Sequence, residues 1–230
     1  GGVKGVYDDD GLEGEFATRK LIGNAIEGVG IATVHLSPLW FFAFFADSVK
    51  GGQIYLEKLH EEMIEKGYID SETSSDSFTT IFEGLERTTT SFAQNIDTPP
   101  LSKEEALSNI EEIKESISEL LSDSGEIASN TVNEMGQVLQ DFMKTAVDEK
   151  QSIMELGGLL TLKTTSRVKQ LGGLTVSAPN VASKMLYENI LVYYSDTLTE
   201  IHDKGYANVA SEVMDPYGKA IIDQFSAEKI

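Results

Sequence analysis

The stretch HLSPLWFFAFFADSVKGG, residues 35–52, decides how this chain folds. Five of its aromatics, Trp40, Phe41, Phe42, Phe44 and Phe45, fall between positions 40 and 45, in a chain with 10 Phe, 8 Tyr and 1 Trp. On a helix, those rings point to every side. A helix that is apolar all round is either buried among other helices or immersed in lipid. A bilayer span needs about twenty apolar residues. The mainly apolar run from Ile31 to Ala46 is shorter than that and is interrupted by His35 and Pro38. Extending it upstream to Leu21 brings in Asn24, Glu27 and several glycines. The segment therefore reads as the first turns of a buried central helix, with Ser37 as N-cap and Pro38 at the first helical position. The functional alternative for the same rings is a cavity for an apolar ligand or lipid, lined by Trp40, Phe41, Phe44 and Phe45.

Downstream, the helix begun at Pro38 is expected to run towards Lys66, ended by Gly67 as a left-handed cap with Tyr68 and Ile69 folding back. The polar linker DSETSSDS follows at 70–77, then a helix over 77–94 stopped by DTPP at 97–100. In LSKEEALSNIEEIKESISELLSD, Ser102 and Glu105 form a capping box, and Leu107, Ile110, Ile113, Ile117, Leu120 and Leu121 keep helical spacing. A further helix covers 124–150, with Ile127, Val132, Met135, Val138, Leu139, Phe142 and Val147 inward. Residues 151–177 are ambiguous. LGGL recurs at 156–159 and 171–174, which suits either a broken helix or a small β-hairpin within 155–177. Pro179 opens a helix to Lys204, closed by Gly205–Tyr206, and a last helix spans 207–228.

These elements predict an all-α protein, a single bundle of about six to eight helices packed around the 38–66 and 179–204 helices. Residues 1–11, rich in Gly and Asp, form a flexible acidic arm, and 12–230 form one helical domain. A length of 230 residues is enough to bury a substantial core. There is also a weak internal echo between 33–68 and 175–206. EMIEKGY matches EIHDKGY and TVHLSP matches TVSAP, which suggests a duplicated helical unit, although helix-capping preference alone produces the same ending.

The formal charge of −20 and a pI near 4.4 limit the partners. Such a surface repels phosphate backbones, which argues against nucleic acid. It also opposes anionic membranes, so membrane contact is restricted to a local patch and does not extend to spanning. The absence of Cys removes thiolate catalysis, thiolate zinc and disulfides. No G-x-S-x-G, P-loop or dinucleotide fingerprint occurs, and no cofactor is implied. The compartment is open. A cytoplasmic location is favoured, and a start at Gly1 rather than Met leaves room for a signal or anchor upstream.

Three sets of residues stand out. Glu57 and His60 have the i, i+3 spacing used in carboxylate-bridged di-iron bundles, although neither His35 nor His202 supplies a second such pair. The aspartates of YDDDGLEGE are consecutive where an EF-hand needs alternation. Lys163, Arg167 and Lys169 form a basic contact patch in a stretch without Asp or Glu between 156 and 187. The expected function is a non-catalytic acidic interaction or scaffold module with a protein partner. The alternatives are binding of an apolar small molecule beside Trp40–Phe45, then a metal site seeded by Glu57 and His60.

Overall fold

A computed structural model describes residues 37–84, 114–115, 117–122, 125–170 and 182–215, and gives backbone alone for 127, 165–170 and 182–189. Among the described residues all regular structure is helical, so the chain is an all-α bundle. Its helices are α1 (Pro38–Ser48), α2 (Gln53–Glu65), α3 (Glu126–Asp148), α4 (Ile153–Gln170) and α5 (Ala182–Lys204). Shorter helical stretches lie at 78–84, 117–122 and 206–215. The acidic arm, the DTPP stop and the Ser102–Glu105 capping box lie outside the described residues.

The start of α1 is as its sequence dictates. The Ser37 hydroxyl accepts the Leu39 N–H at 3.3 Å, and Pro38 takes the position where a missing N–H costs nothing. Every residue from Pro38 to Ala46 is buried. The expectation of one helix from 38 to 66 is corrected, because the chain breaks between Ser48 and Gln53. The Ser48 hydroxyl donates back to the Phe44 carbonyl at 3.0 Å, Val49 turns extended, and Gly51 adopts φ +95°. At Gly52 a Cβ would overlap the backbone of Ala46, so only glycine lets α2 close onto α1 there. The Tyr55 hydroxyl then donates to the Leu39 carbonyl at 2.9 Å and ties the two helices together.

α2 ends in a Schellman motif, as expected. Gly67 has φ +73°, the Tyr68 N–H reaches the Met63 carbonyl at 2.8 Å, and the Gly67 N–H reaches the Ile64 carbonyl at 2.9 Å. The second Lys-Gly-Tyr ending shares only the glycine. Gly205 has φ +83° and donates to Ile201 at 2.7 Å, but the Tyr206 N–H turns to the Glu149 carboxylate at 2.9 Å and starts the next helix.

The hairpin expected within 155–177 does not form over 155–170, which is helix, and 171–177 lie outside the described residues. The reason is local. Ser152 and Glu155 make a reciprocal capping box at 3.0 and 3.2 Å that nucleates α4. Thr161 and Thr164 return their hydroxyls to the carbonyls four residues back, each at 2.8 Å. Gly157 is a contact surface within this helix, since a Cβ there would lie 2.6 Å from the Leu39 side chain.

α1 is the hub. Its rings meet Tyr55 of α2, Phe78 and Phe82 of the 78–84 stretch, Phe142 of α3 and Tyr194 of α5, while Leu39 lies against α4. Over residues 190–204, α5 buries one face, through Ile190, Leu191, Tyr194, Thr197, Leu198 and Ile201, and exposes Val192, Asp196 and Thr199. Of the two segments expected at the centre, the first is enclosed over α1 alone, and the second is amphipathic over residues 190–204. On α3, Met135, Val138 and Phe142 are inward as expected, but Val147 is 63% exposed. The inward position one turn after Phe142 is Ala146, and Val147 is rotated about 100° beyond it.

Candidate functional site

The aromatic run forms two groups of packed rings. Trp40 has no exposed surface, and its indole meets Phe78 and Phe82 edge-on, each at 5.8 Å between centroids. Phe44 lies 3.8 Å from Phe78. On another side of the helix, Phe41 meets Tyr194 at 6.2 Å, and Phe42 meets Phe142 at 5.5 Å and Tyr194 at 5.9 Å. Phe45 is buried as well. Trp40, Phe41, Phe44 and Phe45 thus belong to one core, in which Trp40 and Phe41 meet their partners at the spacing that aromatic pairs prefer.

Glu57 and His60 share α2 but do not converge. Glu57 is exposed, and His60 Nε2 lies 2.6 Å from the Thr73 carbonyl, to which it donates. Among the described residues no group of three His, Cys, Asp or Glu side chains is placed to hold a metal ion. No described helix is long and apolar enough to cross a membrane.

Of the basic patch, Lys163 is engaged within the fold, and the Arg167 and Lys169 side chains lie outside those described. The Lys163 ammonium holds both Glu200 carboxylate oxygens at 3.0 and 2.9 Å and so joins α4 to α5. Lys204 reaches the same carboxylate at 3.0 Å and continues to Glu212 at 3.3 Å. Burial opposes ionisation of Glu200, but hydrogen bonds and charge from Lys163 and Lys204 outweigh it and hold the carboxyl below its ordinary value. A carboxyl with a depressed folded pKa contributes stability above its unfolded value, about 4.5, and loses it as pH falls through the lower folded value. Glu200→Gln is expected to lower stability at neutral pH by about 1–2 kcal/mol, because Lys163, only 15% exposed, loses this carboxylate. Urea titrations at neutral and acid pH check this. The variant should lose less stability on acidification than the wild type, and equal losses would contradict the assignment.

One carboxylate that the sequence did not single out does more than those it did. Glu62 of α2 accepts the Ile153 N–H at 2.9 Å through one oxygen and the Met154 N–H at 3.1 Å through the other. It caps α4 from another helix and complements the positive end of the α4 dipole. Its negative charge is also felt by Tyr55. Burial first, then Glu62, then Tyr194 raise that phenol well above its usual value, so it stays protonated.

Above Glu62 lies a groove of about 230 Å³ between α2, α3 and α4, bordered by Lys58, Lys150, Met143, Ala146 and Val147. Lys150 occupies the left-handed position after α3 with φ +54°, and the next N–H, of Gln151, closes onto the Ala146 carbonyl at 2.9 Å. The capping box at Ser152 and Glu155 has the pattern S-x-x-E and starts α4 beside Gln151 and Ile153, which line this groove. The reach of Glu62 to α4 had no sequence signal, because its partners are 91 and 92 residues away and are backbone groups.

Neither a known family, nor a characterised protein, nor a solved structure matches the chain.

Proposed function

We propose that the chain is a non-catalytic helical interaction module whose acidic surface meets a cationic protein partner. The observation that carries this reading is the placement of acid between 70 and 83. Asp70, Glu72, Asp76 and Glu83 are all exposed, and no Lys or Arg lies among them. The loop is fixed in place against α2. Thr73 is held by His60, and the Gln53 amide donates to the carbonyls of Ser75 at 3.3 Å and Asp76 at 3.4 Å. Charges already held in position lose less freedom on binding than charges on a loose tail. A −20 chain also draws a cationic surface in from a distance and repels anionic ones, which favours encounter and selectivity.

The test is charge reversal with a matched control. Asp70→Lys/Asp76→Lys is compared with Glu134→Lys/Asp141→Lys on the exposed side of α3, each immobilised for affinity capture at low and high salt. The reading expects basic proteins retained by the wild type and the α3 control, released by salt, and lost by the loop variant. Retention unaffected by salt, or equal in all three proteins, would overturn it.

A further inference from the structure

We infer that the groove between α2, α3 and α4 is a binding site for a small amphiphilic carboxylate, its head held by Lys58 and Lys150 and its apolar body laid on Met143, Ala146 and Val147. The inference is independent of the partner reading above, which concerns a different surface.

The charge pattern comes first. Lys163 and Lys204 are held by carboxylates within the fold. Among the described residues, neither the Lys58 nor the Lys150 ammonium makes an ion pair, and both border the same groove. Glu62 on the floor offsets one of the two charges, while its oxygens are turned to the Ile153 and Met154 amides. The remaining donors of that helix start are satisfied by the Ser152–Glu155 box, so the lysines, and not the helix terminus, are the anion-binding groups. Two lysines against one glutamate leave a single net positive charge, which matches a monoanion better than a dianion.

The backbone supports the same reading. The position after α3 needs a left-handed residue, which glycine adopts without penalty and an L side chain does not. Lysine stands there at φ +54° and borders the groove. Beside it, Val147 is 63% exposed next to buried Ala146, giving the mouth an apolar strip that an inorganic anion would leave uncovered. At about 230 Å³ the space is below the roughly 300–1,000 Å³ of drug-sized pockets, so the ligand is short.

Hexanoate is the probe, titrated into labelled protein and followed by amide NMR shifts, with hexanol and inorganic phosphate as parallel arms. Hexanoate should shift amides around 58–62 and 143–153 saturably. Hexanol and phosphate should each bind at least about ten-fold more weakly, since each lacks one half of the ligand. Lys58→Gln and Lys150→Gly should each weaken hexanoate about ten-fold, the second with no loss of thermal stability because glycine suits that backbone. The absence of saturable shifts, phosphate binding as tightly as hexanoate, or unchanged affinity in both variants would each overturn the assignment.

Discussion

Phe42→Ala is expected to destabilise the fold by about 3–5 kcal/mol, a large share of the roughly 5–15 kcal/mol a domain of this kind holds. Phe42 has no exposed surface. Its ring lies within 5.5–6.3 Å of Phe41, Tyr55, Phe142 and Tyr194, which belong to α1, α2, α3 and α5. The cost of truncation depends on how far the neighbours can collapse into the space. Four rings anchored on four helices cannot all move inward without disturbing one another. Chemical denaturation measures the effect, and Phe42→Leu, which leaves a smaller void, keeps the series measurable if the alanine variant fails to fold. Ile54→Ala, at a position 63% exposed, is the control and should stay within about 0.5 kcal/mol of the wild type. A loss below about 1 kcal/mol for Phe42→Ala would mean that space beside α1 adapts, which is what a ligand cavity there requires.

The same helix shows what sequence could and could not reveal. Ser37–Pro38 and the all-round apolar run were sufficient to place a buried helix, because caps and hydrophobic pattern are local properties. Where α1 stops was also written locally, in Val49–Lys50–Gly51–Gly52, but helical spacing resumes so soon at Tyr55, Leu56 and Leu59 that the period reads straight through the break. Gly51 supplies the left-handed turn at φ +95°, and only the close approach of Gly52 to Ala46 explains the second glycine. In α4 the glycine pair pointed the other way. Gly157–Gly158 left a broken helix or a hairpin open, while Ser152 and Glu155, three residues apart, carry the pattern of a helix start. Gly157 is there for packing on Leu39, and a partner 118 positions away in sequence leaves no mark on local periodicity. The expected site residues had the same limitation. Lys163 stood in an acid-free stretch of sequence, yet Glu200 of α5 meets it in space.

Glu62→Ala carries the second large effect, expected at about 2–3 kcal/mol. Removing the carboxylate takes the acceptor from two backbone N–H groups at once, those of Ile153 and Met154, at 2.9 and 3.1 Å. Hydrogen bonds to a charged group contribute about 1.5–3 kcal/mol each, and their partial exposure lets water recover some of that. The Ser152–Glu155 box remains, so α4 should still begin at Ile153 and the loss should concentrate in the link between α2 and α4. Glu62→Gln keeps one acceptor oxygen and should cost about half as much. Amide hydrogen exchange distinguishes this link from a general loss of stability. In Glu62→Ala the Ile153 and Met154 amides should exchange faster than global unfolding allows, while amides of α5 follow the change in overall stability alone. Uniform acceleration across α4 and α5 would mean that Glu62 acts through the core and not through the helix start it caps.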